Sequence, residues 1–358
     1  MPGGLIPLLP ESPEMVDDTL LPDAAAADES VFEVEEETRE LTVDATASGQ
    51  RLDRFLAGAI AEFSRSYLQQ LIEAGLLRRN GQPCGKTATK LRAGDRLSLV
   101  LRATAQSQAF VAQDIPLDVV YEDAHLVVIN KPAGMVVHPA AGNWSGTLLN
   151  ALLHRYAGAA QVPRAGIVHR LDKDTSGLMV VARDRSTMDQ LVQQIAAREV
   201  RREYWAIGQG HWKRGSEQAC TVDAAIGRDP RNRLRMAVVD LAHQSGKAAR
   251  TDITLIGNSA ADGAPACWVH CKLHTGRTHQ IRVHMQHLGH PLLADATYGG
   301  AQAWGMERQA LHAFRLSLLH PVTGEPLQCV APLPADMHAA LQAMGLPPPA
   351  PESFPVQP

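Results

Sequence analysis

The sequence predicts an α+β protein whose main domain is built on a mixed, mainly antiparallel sheet, preceded by a smaller α/β module. Strand-like and helix-like segments follow one another without the regular alternation of a doubly wound fold. Turn signals such as Asn80-Gly81 separate short apolar runs, as in hairpins. With 358 residues, 45% of them hydrophobic and 20% charged, the chain is long enough for two or three globular domains.

The first fifty residues are strongly acidic, and the rest of the chain is basic. Thirteen Asp or Glu and the single basic residue Arg39 give residues 1–50 a balance of −12; against a total of −4, the remaining residues carry +8. A basic body behind an acidic segment is typical of proteins that bind nucleic acid. Residues 1–40, rich in Pro, Ala and acidic side chains without periodicity, are predicted to be a disordered acidic arm.

Composition and termini exclude several classes of protein. The N-terminus lacks the cationic start of a secretory signal, and no apolar stretch reaches the length that crosses a membrane. The scattered, odd set of cysteines argues against a disulfide framework or a zinc ribbon and favours a reducing compartment; they are Cys84, Cys220, Cys267, Cys271 and Cys329. We therefore expect a soluble, cytoplasmic protein with no membrane partner.

Residues 41–102 have the pattern of a small basic α/β module. Apolar residues at helical spacing predict a helix over 52–63 and a shorter helix after it; Asn80-Gly81 then predicts a hairpin, and alternation over 95–102 a closing strand. Between residues 51 and 102, ten basic residues oppose four acidic ones, a balance of +6. Such a surface suits contacts with RNA phosphates, and the candidates are Arg51, Arg54, Arg65, Arg78 and Arg79.

A polar segment over 103–114 is predicted to link this module to a larger domain over 115–341. That domain should begin with a hairpin whose strands cover 119–121 and 126–129. The proline-rich tail over 342–358 is predicted to be disordered.

Two helices and a strand are predicted in the middle of the larger domain. Helical spacing of leucines indicates a helix over 148–156, and a second helix should begin near Ser186, which is expected to cap it. The run R-R-E-Y-W-A-I is typical of a strand and places Tyr204 two residues after Arg202.

Residues 166–183, G-I-V-H-R-L-D-K-D-T-S-G-L-M-V-V-A-R, combine two short strand-like runs with a polar turn. Asp172 ends the first run between Arg170 and Lys173, cations that would hold a carboxylate ionised and suit it to act as a nucleophile or base. The residues from Asp174 onward are as well explained by a structural role, forming the turn, as by a chemical one.

A second polar stretch, residues 274–300, is rich in histidine: His274, His279, His284, His287 and His290. A metal site would be one interpretation, but no acidic ligand is interleaved and the spacing is not H-E-x-x-H, so RNA contacts or hydrogen-bonded structural roles are preferred and no metal is expected. Arg277 and Arg282 are the stronger candidates, because a buried guanidinium can pair with a carboxylate such as Asp172.

These motifs resemble those of the pseudouridine synthases that modify large-subunit ribosomal RNA, and the 41–102 module resembles an S4 RNA-binding domain. The matching stretches are N-K-P-A-G-M-V-V-H-P (130–139), the 166–183 motif, R-E-Y-W-A (202–206), T-G-R-T-H-Q-I-R-V-H (275–284) and H-P-L-L-A-D-A-T-Y-G-G (290–300). One departure is Ala294, which stands where the family usually has glycine.

The resemblance implies roles for individual residues. Asp172 would be the nucleophile, Arg170 would enter the RNA stack in place of the flipped uridine, and Tyr204 would stack on the base and accept the C5 proton. Arg282 is expected to pair with Asp172, with Arg277 as the second choice. Further expected substrate contacts are His169, Arg277, Thr278, His279, Ile281, Asn130 and Lys131.

The resemblance implies no cofactor, and it implies 23S ribosomal RNA as partner, within assembling large subunits, for a monomeric enzyme. It leaves open whether the aspartate adds to the sugar, adds to the ring or removes the 2′ proton. Three alternatives stay open: an RNA-binding assembly factor with dispensable catalysis, a synthase acting on another RNA such as tRNA, and a glycosidase that pairs Asp172 with Asp174.

Overall fold

The computed structural model describes residues 37–60, 63, 65–101, 107–140, 142–213, 218–232 and 235–346. The chain divides into two compact units between residues 102 and 103. Most of the predicted acidic arm, up to residue 36, and the tail from residue 347 lie outside the described residues. Within the described part, no helix is both long and apolar enough to cross a membrane.

The N-terminal unit packs two helices against a four-stranded antiparallel sheet. Its helices are α1 (Leu52–Ala59) and α2 (Arg65–Glu73), and its strands are β1 (Glu37–Thr42), β2 (Leu77–Arg79), β3 (Gln82–Pro83) and β4 (Arg96–Leu101), in the spatial order β1-β4-β2-β3. Leucines of both helices are fully buried against the sheet. The predicted helix pair, the hairpin at Asn80-Gly81 and the closing strand are confirmed.

Strand β1 corrects the boundary predicted for this unit. It begins at Glu37, inside the range assigned to the disordered arm, and pairs with β4 over six residues. Its sequence, E-T-R-E-L-T, is mostly polar, so the apolar pattern did not reveal it. The strand forms because it extends the sheet alongside β4, whose own alternation buries Leu97, Leu99 and Leu101.

The C-terminal unit is built on a nine-stranded sheet with four helices and a small three-stranded sheet. Its helices are α3 (Leu148–Arg155), α4 (Arg185–Ala197), α5 (Gln280–His287) and α6 (Ala335–Ala343). Its strands are β5 (Val119–Glu122), β6 (Leu126–Lys131), β7 (Ser176–Ala182), β8 (Arg201–Gln209), β9 (Ala219–Asp223), β10 (Ile226–Arg228), β11 (Met236–Val238), β12 (Gly246–Lys247), β13 (Arg250–Asn258), β14 (Ala266–Leu273), β15 (Leu311–Leu319) and β16 (Pro326–Val330).

The large sheet is mixed but mainly antiparallel, as predicted. Its order is β5-β6-β7-β15-β8-β14-β13-β9, with β16 paired to β15, and the small sheet has the order β11-β10-β12. Among the described pairings only β15 with β7 is parallel. At that junction Gly177 is required, because a Cβ on it would lie 2.2 Å from the carbonyl oxygen of Ala313.

Both faces of the large sheet are covered, so most residues of its central strands are buried. All seven residues of β7 are buried. One face packs against α3 and α5, and the other carries Trp205 and Phe314, whose rings stack with centroids 4.0 Å apart, together with α6. Two-sided burial makes the sheet a rigid platform for side chains that project from its strand ends.

The first apolar run of the 166–183 motif is not a strand. Ile167 forms only an isolated bridge to Val181, because the Nε2 atom of His169 accepts the backbone N–H of Val180 at 3.1 Å and takes the place of a strand partner. Gly166, directly before Ile167, has φ 79°, a left-handed conformation that glycine adopts without strain. A second correction concerns α4, which is capped by Asp184 and not by Ser186.

The limits of the large domain are wider than predicted. Ala109, inside the supposed 103–114 linker, is buried, and the side-chain amide of Asn150 donates to its carbonyl oxygen at 3.3 Å. At the other end α6 extends to Ala343 and Met344 is fully buried, so the fold continues past residue 341.

Candidate active site

Asp172 lies in the turn that leads into β7 and faces a cleft of about 460 Å³. The backbone N–H of Thr175 donates to the carbonyl oxygen of Asp172 at 3.1 Å, which closes the turn. The volume falls in the range of sites that hold a small organic group. The carboxylate is 16% exposed, so it is accessible from the cleft while its surroundings are fixed.

Arg282, on α5, holds the Asp172 carboxylate. Its Nη1 donates to Oδ2 of Asp172 at 3.0 Å, across 110 residues of sequence, and the predicted pair is therefore confirmed. Nε and Nη2 of the same guanidinium donate to Asp295 at 2.7 and 2.8 Å. Burial opposes the charged guanidinium, but the hydrogen bonds and charges of Asp295 and Asp172 outweigh it and raise the pKa of Arg282 above its ordinary value.

The second-choice arginine has a different position. Arg277 lines the cleft, but its Nε donates to the carbonyl oxygen of Ala248 at 3.0 Å. It makes no ion pair with Asp172 among the described residues. The arginine that orients the aspartate is thus the one on the helix, where its neighbours fix its side chain.

His279 approaches the other oxygen of Asp172. Its Nε2 lies 3.8 Å from Oδ1 of Asp172, and its Nδ1 lies 2.8 Å from the hydroxyl of Tyr298. That hydroxyl already accepts the backbone N–H of Met236 at 3.0 Å, so its own proton is free to go to Nδ1. Burial lowers the pKa of His279, and this network places the proton of the neutral ring on Nε2, facing Asp172.

Tyr204 forms part of the wall of the cleft that this ion pair also lines. It lies on β8, is 5% exposed, and lines the same cleft as Asp172 and Ile281. Burial raises the pKa of Tyr204 to about 12, so the phenol is neutral at pH 7. A buried neutral aromatic ring beside Ile281 presents an apolar surface on which a flat base can stack.

The cleft is strongly cationic. Among the described residues Asp172 is the one carboxylate in its lining, whereas six arginines contribute to it: Arg164, Arg170, Arg198, Arg202, Arg277 and Arg282. Arg170 and Thr278 are exposed at the cleft. Walls of one charge sign concentrate ligands of the opposite sign, and a polyanion such as RNA fits this distribution.

Two residues expected to contact substrate are turned away from the cleft. The side-chain amide of Asn130 donates to Asp118 at 2.9 Å. The ammonium group of Lys131 donates to the carbonyl oxygens of Pro132, Met135 and Lys173 at 2.8, 3.0 and 3.0 Å. Lys131 thus ties the 132–135 turn to the Asp172 turn, and burial lowers its pKa to about 7.

His169 lines the cleft, but its Nε2 is occupied by the strand contact described above. Burial lowers the pKa of His169 to about 3, so the ring is neutral at pH 7. These contacts make it a structural part of the cleft wall.

Arg308 and Asp295 are site residues that sequence reasoning missed. The guanidinium of Arg308 donates to Asp336 on α6 at 2.6 and 3.0 Å and to the carbonyl oxygen of Asp174 at 2.9 Å. It therefore anchors the turn that carries Asp172 to the last helix. Both residues lie in loops without periodicity; the only available signal was the aspartate of A-D-A-T-Y-G-G.

The histidines of residues 274–300 have local partners. His274 contacts Asp252 at 2.6 Å, His284 lies 2.9 Å from the Thr251 hydroxyl, and His290 lies 3.0 Å from the carbonyl oxygen of Gln209. Across the described residues, no group of three or more His, Cys, Asp or Glu side chains is placed to hold a metal ion.

The candidate RNA-binding arginines of the N-terminal unit fall into two groups. Arg51 and Arg65 donate to the buried carboxylate of Asp53, and Arg79 pairs with Asp95 at 2.5 Å. The hydrogen bond from Arg51 is the main cause that lowers the pKa of Asp53. Arg54 and Arg78 are exposed, and they are the freest of the five to reach a phosphate.

Comparisons with known proteins agree with this geometry. The RNA pseudouridylate synthase family model matches residues 125–287, and the S4 domain model matches residues 50–97. The ribosomal large subunit pseudouridine synthase D of Xanthomonas campestris pv. campestris is 45% identical over 331 residues, covering 89% of this chain and 96% of the relative. The protein of the same name from Xylella fastidiosa is 47% identical over 320 residues, covering 86% and 92%.

Solved structures point the same way. Human RNA pseudouridylate synthase domain containing 1 is 27% identical with a TM-score of 0.51, covering 67% of this chain and 99% of its own. Human RNA pseudouridylate synthase domain containing 4 is 26% identical with a TM-score of 0.50, covering 65% and 95%. Since the 45% identity to the Xanthomonas relative extends over 89% of the chain, the chain belongs to the RNA pseudouridylate synthase family.

Proposed function

We propose that the protein converts specific uridines of large-subunit (23S) ribosomal RNA to pseudouridine. The observation that carries the proposal is an aspartate, Asp172, held by Arg282 in a cationic cleft that Tyr204 also lines. The S4 domain match and the names of the relatives support RNA, and ribosomal RNA in particular, as the substrate.

The reaction exchanges one bond for another at the ribose C1′ atom. The N1–C1′ bond breaks, the uracil turns within the cleft, and C5 joins C1′; the proton lost from C5 is balanced by the proton gained at N1. Asp172 acts as the nucleophile in this exchange. Arg282 fixes one carboxylate oxygen, and His279 faces the other from 3.8 Å, so the group is oriented before substrate arrives.

Base flipping precedes the chemistry. A uridine within a folded RNA must leave its stack to enter the cleft, at a cost of a few kcal/mol. Arg170 is exposed beside Asp172, and its planar guanidinium can occupy the vacated position in the stack. This substitution offsets part of the cost of flipping.

Tyr204 has two tasks that differ in protonation state. Its neutral ring stacks on the uracil, whereas acceptance of the C5 proton requires the phenolate, which burial disfavours at pH 7 because it raises the pKa of Tyr204. Proton removal therefore needs a change in the surroundings of Tyr204 once the base is bound. Tyr204→Phe should consequently retain RNA binding and lose product.

The decisive experiment compares Asp172→Asn with Asp174→Asn. The first variant should bind ribosomal RNA fragments normally and form no pseudouridine, and the second, which changes the neighbouring carboxylate, should retain turnover. Turnover by Asp172→Asn would overturn the proposal, and release of free uracil would indicate a glycosidase. Mapping pseudouridines in ribosomal RNA from a deletion strain identifies the target uridines.

The proposal extends to the setting of the reaction. We propose that the enzyme acts in the cytoplasm, as a monomer, on large subunits during assembly. Co-sedimentation with precursor subunits, but not with mature ones, is the expected result. Full complementation of a deletion strain by an Asp172→Ala gene would instead favour an assembly factor.

A further inference from the structure

Arg202 is a buried cation for which the described part of the chain supplies no counter-ion. It is the second residue of β8, it is 7% exposed, and its Nε is buried with no hydrogen-bond acceptor. No carboxylate lies within 4 Å of its guanidinium among the described residues. The two other buried arginines of the described residues differ: Arg282 binds two aspartates, and Arg315 lies 3.3 Å from Glu203.

Arg202 lines the same cleft as Asp172 and Tyr204. Residues two apart on a strand share a face, so Arg202 and Tyr204 project to the same side of β8, and both line the cleft with Asp172. A Cβ on Gly276 would lie 2.6 Å from Nη1 of Arg202, so the absence of a side chain at position 276 makes room for the guanidinium.

Burying a charge without a partner costs free energy, and proteins keep such groups mainly where a bound ligand neutralises them. The only carboxylate described in the cleft lining, Asp172, is already bound to Arg282, so it is not available to neutralise Arg202. A ligand that neutralises Arg202 must therefore be an anion. In an RNA substrate the uracil and the ribose are neutral, and the phosphodiesters carry the charge. The fork of donors on a guanidinium matches the oxygens of a phosphate.

We propose that Arg202 binds one of the two phosphodiesters flanking the flipped uridine and so positions the nucleotide against Asp172 and Tyr204. This inference rests on the proposed function. It gives Arg202 a task separate from base stacking by Tyr204 and from the hold of Arg282 on Asp172. A competing explanation is that Arg202 acts on Tyr204 alone, as a nearby positive charge.

The test is a thermodynamic cycle that combines one protein variant with one uncharged backbone linkage in the RNA and compares their separate and joint effects on affinity. The full chain and its Arg202→Gln variant are titrated with an RNA fragment that has either a normal linkage or a methylphosphonate on the 5′ or the 3′ side of the target uridine. Affinity is measured by fluorescence anisotropy and KM by pseudouridine formation. Arg185→Gln is the matched control, because it removes one positive charge from an exposed site on the same unit.

Arg202→Gln should weaken binding and raise KM about ten- to hundredfold, as expected for loss of a charge-assisted hydrogen bond in a buried site, with a smaller change in kcat. A methylphosphonate at one flanking linkage should produce a similar loss with the wild type and little further loss with Arg202→Gln. Arg202→Lys should recover part of the affinity. Arg185→Gln should leave both quantities within about twofold of the wild type.

Three outcomes would overturn the role of Arg202. The first is that the losses of affinity caused by Arg202→Gln and by a methylphosphonate are additive at both linkages, and the second is a change in kcat and in its pH profile with KM unchanged. The third is a lower thermal midpoint for Arg202→Gln, because removal of an unpaired buried charge should not destabilise the fold. Wild-type turnover on the unmodified RNA reports separately on the proposed function. Absence of that product refutes the function, whereas the affinity cycle still decides whether Arg202 binds a phosphate.

Discussion

Arg282→Met removes the side chain that hydrogen-bonds both Asp172 and Asp295. Three charge-assisted hydrogen bonds are lost, of 2.7, 2.8 and 3.0 Å, and two of them belong to Asp295, which is only 1% exposed. A buried carboxylate left without its partner costs about 3–5 kcal/mol. In a domain of this size each kcal/mol lowers the melting temperature by about 2–4 °C, so the expected fall is about 6–20 °C.

Thermal and urea unfolding of the full chain measure this loss. Arg282→Met combined with Asp295→Leu should recover most of the stability, because no buried charge is then unpaired, yet it should remain inactive because Asp172 is no longer oriented. Arg185→Met, which breaks an exposed pair with Asp189, should cost less than about 0.5 kcal/mol. A loss below about 1 kcal/mol for Arg282→Met, or activity in the double variant, would refute the reasoning.

Four further expectations address other parts of the molecule. Burial lowers the pKa of Lys131 from 10.5 to about 7, so the unfolded chain binds more protons than the folded chain between these pH values. The free energy of unfolding, measured by urea titration, should therefore rise with pH across that window by up to about 1.4 kcal/mol per pH unit. Lys131→Met should abolish that rise. Ala294 has φ 57°, a left-handed conformation that strains an alanine, so Ala294→Gly should raise the free energy of unfolding of the protein by about 1 kcal/mol. A lower free energy of unfolding would contradict strain at this residue. Arg308→Ala should lower kcat at least about tenfold with little change in KM, since it loosens the Asp172 turn without touching RNA; an altered KM alone would contradict this. Arg54→Gln and Arg78→Gln should each reduce the slope of log affinity against log salt by about 0.7–0.9, and unchanged slopes would exclude them as phosphate contacts.

The sequence predicted the central ion pair but not its full set of partners. Asp172 was predictable because it stands in a dense polar motif between two cations; the residues alone offered both Arg277 and Arg282 as its partner, and the family resemblance favoured Arg282. Asp295 and Arg308 were not predictable, because loop residues follow no period and their contacts depend on the tertiary fold. Lys131 and Asn130 were assigned to substrate from their motif alone, whereas their donors satisfy backbone carbonyls and Asp118.

Secondary structure was predictable where one face of an element is apolar. The hairpin of β5 and β6 and the helices α1 and α3 have that pattern. Strand β1 does not, because its polar residues depend on β4 for their backbone partners. The run from Ile167 to Leu171 is apolar enough for a strand, but the His169 side chain occupies the position of a neighbouring chain. Periodicity measures burial, and it does not show whether backbone or side chain supplies the hydrogen bond.

The contact of Arg308 with Asp336 has a consequence for the order in which the enzyme matures. Chains emerge from the ribosome N-terminus first and fold domain by domain. The S4 unit and the Asp172 turn are therefore made well before α6, which provides the anchor for that turn through Arg308. A nascent chain stopped before residue 336 lacks Asp336, so Arg308 cannot yet anchor the Asp172 turn to α6. The geometry around Asp172 is therefore completed only when the last helix has been made and has packed against the sheet.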